Sequence, residues 1–186
     1  MKLRTLFFSI LFILTAAKAQ AQVGLYVNLT AQHVGAATGQ LFGSANNLSN
    51  GMFLYGPTFG IYNDFLHAGP LHVGADIHGS ILSNGDAKLN NALFGLRAAV
   101  KAPVLPIKPY IQASAGVAGF NYGRRVALTN SFTYEVNGGV DLTFLPRLDW
   151  RIIEVGGGAL THNGPGANAG NGIFHISTGL VFRLPF

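Results

Sequence analysis

Cysteine is absent from the 186-residue chain, which excludes disulfides, thiolate metal sites and a lipid anchor on a cysteine. Rigidity has to come from backbone pairing and packing instead. Charge is scarce too: Asp, Glu, Lys and Arg make up 10% of the residues, against about 25% in ordinary soluble domains. Basic residues form no patch, so there is no electrostatic footprint for nucleic acid. After the first stretch, no apolar run reaches the roughly 20 residues that a spanning helix needs. An apolar, charge-poor chain without spanning helices is left with the barrel, the only other fold that satisfies its backbone inside lipid.

The first stretch reads as a targeting segment rather than as part of the fold. Lys2 and Arg4 form a positive start, and Thr5 to Ala17 is apolar. Ala17-Lys18-Ala19 and Ala19-Gln20-Ala21 each offer a small-x-small cleavage site. The apolar part is too short for an anchor, so residues 1–21 are expected to be a cleaved signal peptide and 22–186 one barrel domain. Lys2, Arg4 and Lys18 leave with the leader, which takes most of the formal net charge of +5 with it.

What the chain does have is a rhythm of two. In 173–186, Phe174, Ile176, Thr178, Leu180, Phe182, Leu184 and Phe186 alternate with His175, Ser177, Gly179, Val181, Arg183 and Pro185. That is a strand with one apolar face and one mixed face. The same pattern recurs at about 23–32, 52–62, 71–82, 92–102, 110–122, 132–144 and 147–160, which predicts eight strands. Between them, 63–69, 103–109 and 145–146 are tight or proline-rich, whereas 34–50, 83–91, 123–130 and 161–171 are rich in Gly, Asn, Ser and Thr. Short turns at one end and longer loops at the other predict an all-β, eight-stranded antiparallel up-and-down transmembrane β-barrel.

Alternation does not say which face is inside. A soluble surface is rich in Lys and Glu; here the polar face is Gly, Ser, Thr, Asn and Gln with isolated charges, which suits a filled lumen. Aromatics near strand ends (Phe53, Phe132, Phe144, Trp150, Phe174, Phe186) fit interface girdles. Charges inside need partners. The expected lumen network is Asp76, Arg97, Glu135, Asp141, Asp149, Arg151 and Arg183, with Asp76 level with Arg97, Asp141 near Arg151, and Asp149 near Arg183. It reads as a plug of ion pairs, with a gated pore as the sharper alternative. His72, His78 and His175 share the lumen phase with Asp76 but are too spread to hold one metal ion, so no metal or other cofactor is expected. Regular alternation would aim Glu154 at lipid; a bulge at Ile152–Ile153 would turn it inward. Arg124 and Arg125, in the third outer loop, are a candidate contact for lipopolysaccharide phosphates.

Lys108-Pro109-Tyr110 at the start of the fifth strand and Leu148-Asp149-Trp150-Arg151 at the start of the seventh resemble the OmpA/OmpX and opacity-type barrels. The resemblance covers nearly the whole chain after the leader. It implies a bacterial outer-membrane location, contact with outer-membrane lipid and lipopolysaccharide, and a structural or surface-interaction role. The last strand, with Phe182, Leu184 and Phe186, resembles the closing strand that the barrel-assembly machinery recognises. A narrow porin is the alternative reading. The stretch 107–120, IKPYIQASAGVAGF, also resembles a strand of lipid A 3-O-deacylases. That family's His-x-Ser-Asn motif is replaced here by Arg151-Ile152-Ile153-Glu154, and His175-Ile176-Ser177 lies on the wrong strand, so no catalytic residues are assigned.

Overall fold

The computed structural model describes residues 22–35, 51–85, 87–101, 104–122, 126–161 and 171–184. The leader, Arg124, Arg125, His162 and Phe186 lie outside the described residues. Eight strands follow one another in chain order: β1 (Gln22–Val34), β2 (Met52–Ala68), β3 (Leu71–Ser83), β4 (Ala87–Val100), β5 (Ile107–Tyr122), β6 (Val126–Leu145), β7 (Leu148–Leu160) and β8 (Asn171–Leu184). Each pairs antiparallel with its neighbour, and β1 pairs with β8, so the sheet closes on itself as an up-and-down barrel. Closure leaves no free edge, which is what a sheet inside lipid requires.

The two-residue rhythm becomes the barrel wall. Leu25, Val27, Leu29, Phe53, Phe59, Ile61, Ile77, Phe94, Leu96, Ile111, Val136 and Ile176 all point outward and are exposed. Their neighbours in sequence, including Asn28, Thr30, Thr58, Asp76, Arg97, Gln112, Glu135 and Ser177, are buried inside. An apolar outside over a polar inside is the arrangement of a transmembrane barrel and the inverse of a soluble one.

Several strands run further than their sequence signals. The stretch 63–69, expected as a turn, is mostly strand: β2 continues to Ala68, and Gly69-Pro70 alone makes the turn to Leu71. Gly69 takes φ +61°, a left-handed backbone that two-residue hairpins place on glycine. Of the expected loop 83–91, Ser83 still belongs to β3 and the residues from Ala87 onward belong to β4, and β6 already begins at Val126 within the expected loop 123–130. Asn ranks low in strand propensity and is read as a turn former, but ladder pairing such as Asn90 with Gly119 overrides that preference.

The chain enters and leaves the barrel at the end carrying the turns after β2, β4 and β6. That end is called the turn end, and the opposite one the loop end. The lumen is not polar throughout, as alternation had implied. At the loop end Val34, Met52, Leu54, Leu82, Ala87, Leu89, Ala118, Phe120, Leu160 and Ile173 fill it as one apolar cluster. These residues hold the lumen phase but sit beyond the last charged side chains.

Candidate functional site

Three tyrosines build the middle of the lumen, each because a glycine stands opposite it. Gly24 pairs with Tyr62 and Gly60 with Tyr26 across β1 and β2, and Gly139 pairs with Tyr110 across β5 and β6. A Cβ on Gly24 would meet the Tyr62 ring, on Gly60 the Tyr26 ring, and on Gly139 the Tyr110 ring. The rings therefore lie down over the neighbouring strand, and this leaves the lumen's centre free for two arginines. Gly60→Ala is expected to lift the Tyr26 ring and cost about 1–3 kcal/mol, as overpacking of a filled interior does. The urea midpoint of the refolded barrel reads this; an unchanged midpoint would mean that the ring does not bear on the strand.

The Arg97 guanidinium carbon lies 3.9 Å from the Tyr62 ring centroid and 4.2 Å from that of Tyr110. The Arg151 carbon lies 4.3 Å from Tyr26 and 4.7 Å from Tyr110. Tyr26 and Tyr62 then meet at 6.4 Å between centroids. Tyr62, Arg97, Tyr110, Arg151 and Tyr26 thus form a closed circle in which rings and cations alternate except where Tyr26 meets Tyr62, and such contacts are favoured most where water is excluded. Asp141 clasps both cations, with Arg97 Nη2 at 2.9 Å and Arg151 Nε at 2.9 Å. Glu154 takes Arg151 Nη1 at 3.1 Å, the Ser177 hydroxyl at 2.9 Å and the Tyr110 hydroxyl.

Glu154 reaches this position through an irregularity. Both ladders of β7 shift register there, between Val140 and Asp141 on one side and between Arg151 and Glu154 on the other. Ile152 and Ile153 both face outward, and Glu154 turns in. Bulges commonly re-aim a side chain in this way.

The expected pairings are partly rearranged. Asp141 meets Arg151, and Asp149 meets Arg183 at 3.0 Å. Asp76 does not meet Arg97. Arg97 stands opposite Gly74 in the ladder, and its long side chain crosses the lumen to β6. Asp76 is instead satisfied by the Tyr26 hydroxyl at 3.0 Å, Gln112 Nε2 at 2.8 Å and His78 Nδ1 at 2.6 Å. Among the described residues Glu135 pairs with His175, whose Nδ1 lies 3.7 Å from its carboxylate. At the turn end, Lys101 pairs with Asp64 at 3.0 Å and Lys108 with Asp149 at 2.8 Å. Sequence reasoning missed Asp64, Lys101 and Lys108. They sit at strand ends, where phase is hardest to assign, yet Asp64 lies two residues from Tyr62 and so shares its face.

His72 is separated from the other lumen histidines: it lies at the turn end with its ring against His67, centroids 4.2 Å apart. Among the described residues no group of three His, Asp or Glu could hold a metal ion. Asp76, His78 and Ser80 alternate along one face of β3, but the Ser80 hydroxyl engages Thr58 at 2.8 Å rather than an imidazole. Ser177 likewise gives its hydroxyl to Glu154. A nucleophile needs a base in hydrogen-bond reach; Ser80 has none among the described residues, and the carboxylate that Ser177 meets is already held by Arg151 and the Tyr110 hydroxyl. Of the closing-strand residues, Phe182 is exposed on the outer wall and Leu184 ends β8, paired with Val23.

No protein-family model matches the chain, and no curated protein does. Solved structures do. Neisserial surface protein A (NspA) superposes with a TM-score of 0.54 at 16% identity, covering 87% of this chain and 97% of that one. The N-terminal barrel domain of Pseudomonas aeruginosa OprF gives 0.52 at 13% identity, covering 89% and 100%. The outer membrane protein AlkL, solved in lipid bilayers, gives 0.50 at 13% identity, covering 92% and 93%. At such identities the likeness is one of fold, and the fold is that of the small eight-stranded outer-membrane β-barrels.

Proposed function

We propose that this chain is a bacterial outer-membrane protein whose barrel is closed to ions and serves as a rigid scaffold for its surface loops. One observation carries the reading: the apolar cluster spans the loop end of the lumen, with Leu54, Leu82 and Leu89 fully buried in it. An ion entering from that side would shed its water against leucine, at a cost that no neighbouring charge offsets. Beneath it, the circle of Tyr and Arg closes the lumen a second time. This favours the scaffold over a narrow porin.

On this reading the partner surface is the set of loop-end connections, above all 36–50 and 162–170. Arg124 and Arg125 would meet lipopolysaccharide phosphates there, and the last strand, from Phe182 through Leu184 to Phe186, would carry the assembly signal. The outer-membrane address draws support from the fold and from the apolar wall. Reconstitution in a planar bilayer tests the scaffold directly. The expected record is a flat baseline; discrete, reproducible conductance steps from the wild-type barrel would discard it. Lipid A with unchanged acyl chains after overexpression is the expected result against a deacylase.

A further inference from the structure

The outer wall of the barrel is not uniform. Across β2, β1, β8 and β7 it sinks into a furrow with about 530 Å³ of space, a volume common among sites for small molecules. Leu29, Tyr55, Ile152, Ile153 and Ile176 stand along it, and the small residues Ala31, Gly56 and Thr178 give it depth. Two features of the sequence make it. Ala31 and Thr178 put short side chains in the outward phase, where Leu29, Tyr55 and Ile176 flank them. The bulge in β7 then turns two isoleucines outward where a regular strand would show one.

The furrow runs down the wall rather than around it. Leu148, at the turn-end start of β7, is level in the ladders with Phe182, Leu25, Ile61 and then Ile77 at the middle of β3. Passing straight across the strands from β7 to β3 therefore climbs from the turn end to mid-height. Tyr55 lies near the loop-end start of β2, whereas Ile152 and Ile153 lie in the turn-end half of β7. The long axis thus follows the barrel axis, as lipid acyl chains do. No charged side chain lines the furrow among the described residues. The hydroxyls of Thr30, Ser177 and Thr178 are engaged elsewhere, with Thr58 at 2.7 Å, Glu154 at 2.9 Å and the Arg151 carbonyl at 2.9 Å. Its upper rim is different. Tyr55 pairs with Ser83 and Ser83 with Lys88, and all three are exposed on the outer face at the loop end. A phenol, a hydroxyl and an ammonium group stand in one row there, at the level where tyrosines meet headgroups and where a lysine can meet a phosphate.

We propose that this furrow seats one acyl chain of an anionic lipid from the loop-end leaflet, with the headgroup over Tyr55, Ser83 and Lys88. The inference rests on the membrane reading of the outer wall and adds one fixed site to it. Direction, lining and charge each select the ligand. The furrow points along the membrane normal, its sides are carbon, and its upper rim is cationic. A sugar or a peptide lying in it would leave its own polar groups unpaired against Leu29 and Ile176, which is costly.

Trp150 reports on the site. It is the single tryptophan of the chain, and its indole N–H donates to Thr178 Oγ1 at 3.2 Å, beside the furrow. The whole barrel is refolded into phosphatidylcholine vesicles, and its fluorescence is followed as phosphatidylglycerol with dibrominated chains replaces the host lipid, since bromine quenches indole on contact. Quenching is expected to rise steeply and saturate at low mole fraction, ahead of the proportional rise from lipid that merely coats the wall. Dibrominated phosphatidylcholine is expected to give the proportional rise alone. Ala31→Leu, which fills the floor, is expected to abolish the steep phase, and Lys88→Gln to move it to several-fold higher mole fraction. The gel shift between folded and unfolded barrel confirms that each variant is folded. A proportional rise with both lipids, or a steep phase that survives Ala31→Leu, would overturn the seat while leaving the barrel in lipid. A monomeric barrel unquenched at any mole fraction would take lipid off the wall and end the membrane reading as well. A crosslinked dimer that shields Trp150 from bromine would assign the furrow to a second copy of the chain and overturn the proposal.

Discussion

Asp141→Ala is expected to lower the stability of the folded barrel by about 3–5 kcal/mol, the usual cost of removing one partner from a buried ion pair. Asp141 is 1% exposed and is the carboxylate shared by Arg97 and Arg151, themselves 3% and 1% exposed. Among the described residues, its removal strips Arg97 of its one hydrogen-bonded anion and leaves Arg151 with Glu154. The ring faces of Tyr62 and Tyr110 soften the loss for Arg97, though stacking on rings is worth less than a charged partner. Arg183→Ala is the comparison. Its side chain is partly exposed, and Asp149 keeps Lys108 when Arg183 goes. That change should cost about 1 kcal/mol or less, the range of ion pairs that water reaches. Urea titrations in vesicles, followed by the gel shift between folded and unfolded barrel, measure both. If the two variants lose equal stability, the shared carboxylate is not the keystone of the lumen.

The contrast between these two sites also shows what alternation can reveal. Phase along a strand assigns a residue to the inside or the outside, and on that basis Asp141, Arg151, Asp149 and Arg183 could be placed together from the sequence. Each of those pairs joins adjacent strands, where register follows from a tight turn at Leu145–Leu148 or from the ladder between β7 and β8. Phase does not say how far an arginine reaches across a lumen. Arg97 therefore drew the wrong partner: Asp76 is close in the ladder, but the guanidinium finds Asp141 on β6. The tyrosine circle was hidden for a related reason. Tyr26, Tyr62 and Tyr110 carry the lumen phase in the sequence, and so do the glycines opposite them, but only the register pairs ring with glycine. The apolar cluster was hidden because hydrophobicity served as the marker of the lipid face. Leu54, Leu82 and Leu89 share a phase with polar residues, and that mismatch near the loop end was the available signal. Glu154 is the opposite case. Its charge conflicted with its phase, and the conflict pointed to the bulge at Ile152–Ile153 where the ladder shifts.

Ile77→Arg is expected to cost about 2–4 kcal/mol in vesicles, the penalty for arginine on the lipid face near the bilayer midplane. Ile77 lies at the middle of β3, 56% exposed, with Ile61 of β2 and Phe94 of β4 beside it in register. These neighbours carry no anion, and a guanidinium there has to drag water and headgroups toward the hydrocarbon centre or leave its charge bare. Leu71→Arg makes the same chemical change on the same face of the same strand, but at the turn end. There the side chain can reach headgroups, and the cost should fall to about 0–1 kcal/mol. Depth is the only intended difference between the two, so their gap measures the membrane rather than the substitution. A water-facing wall would respond otherwise. On a soluble barrel both arginines would be tolerated, and replacing an exposed isoleucine by a charge would improve solubility. Equal, small costs at Ile77 and Leu71 would therefore remove lipid from the outside of this barrel. They would also leave its exposed leucines and phenylalanines in need of a different partner.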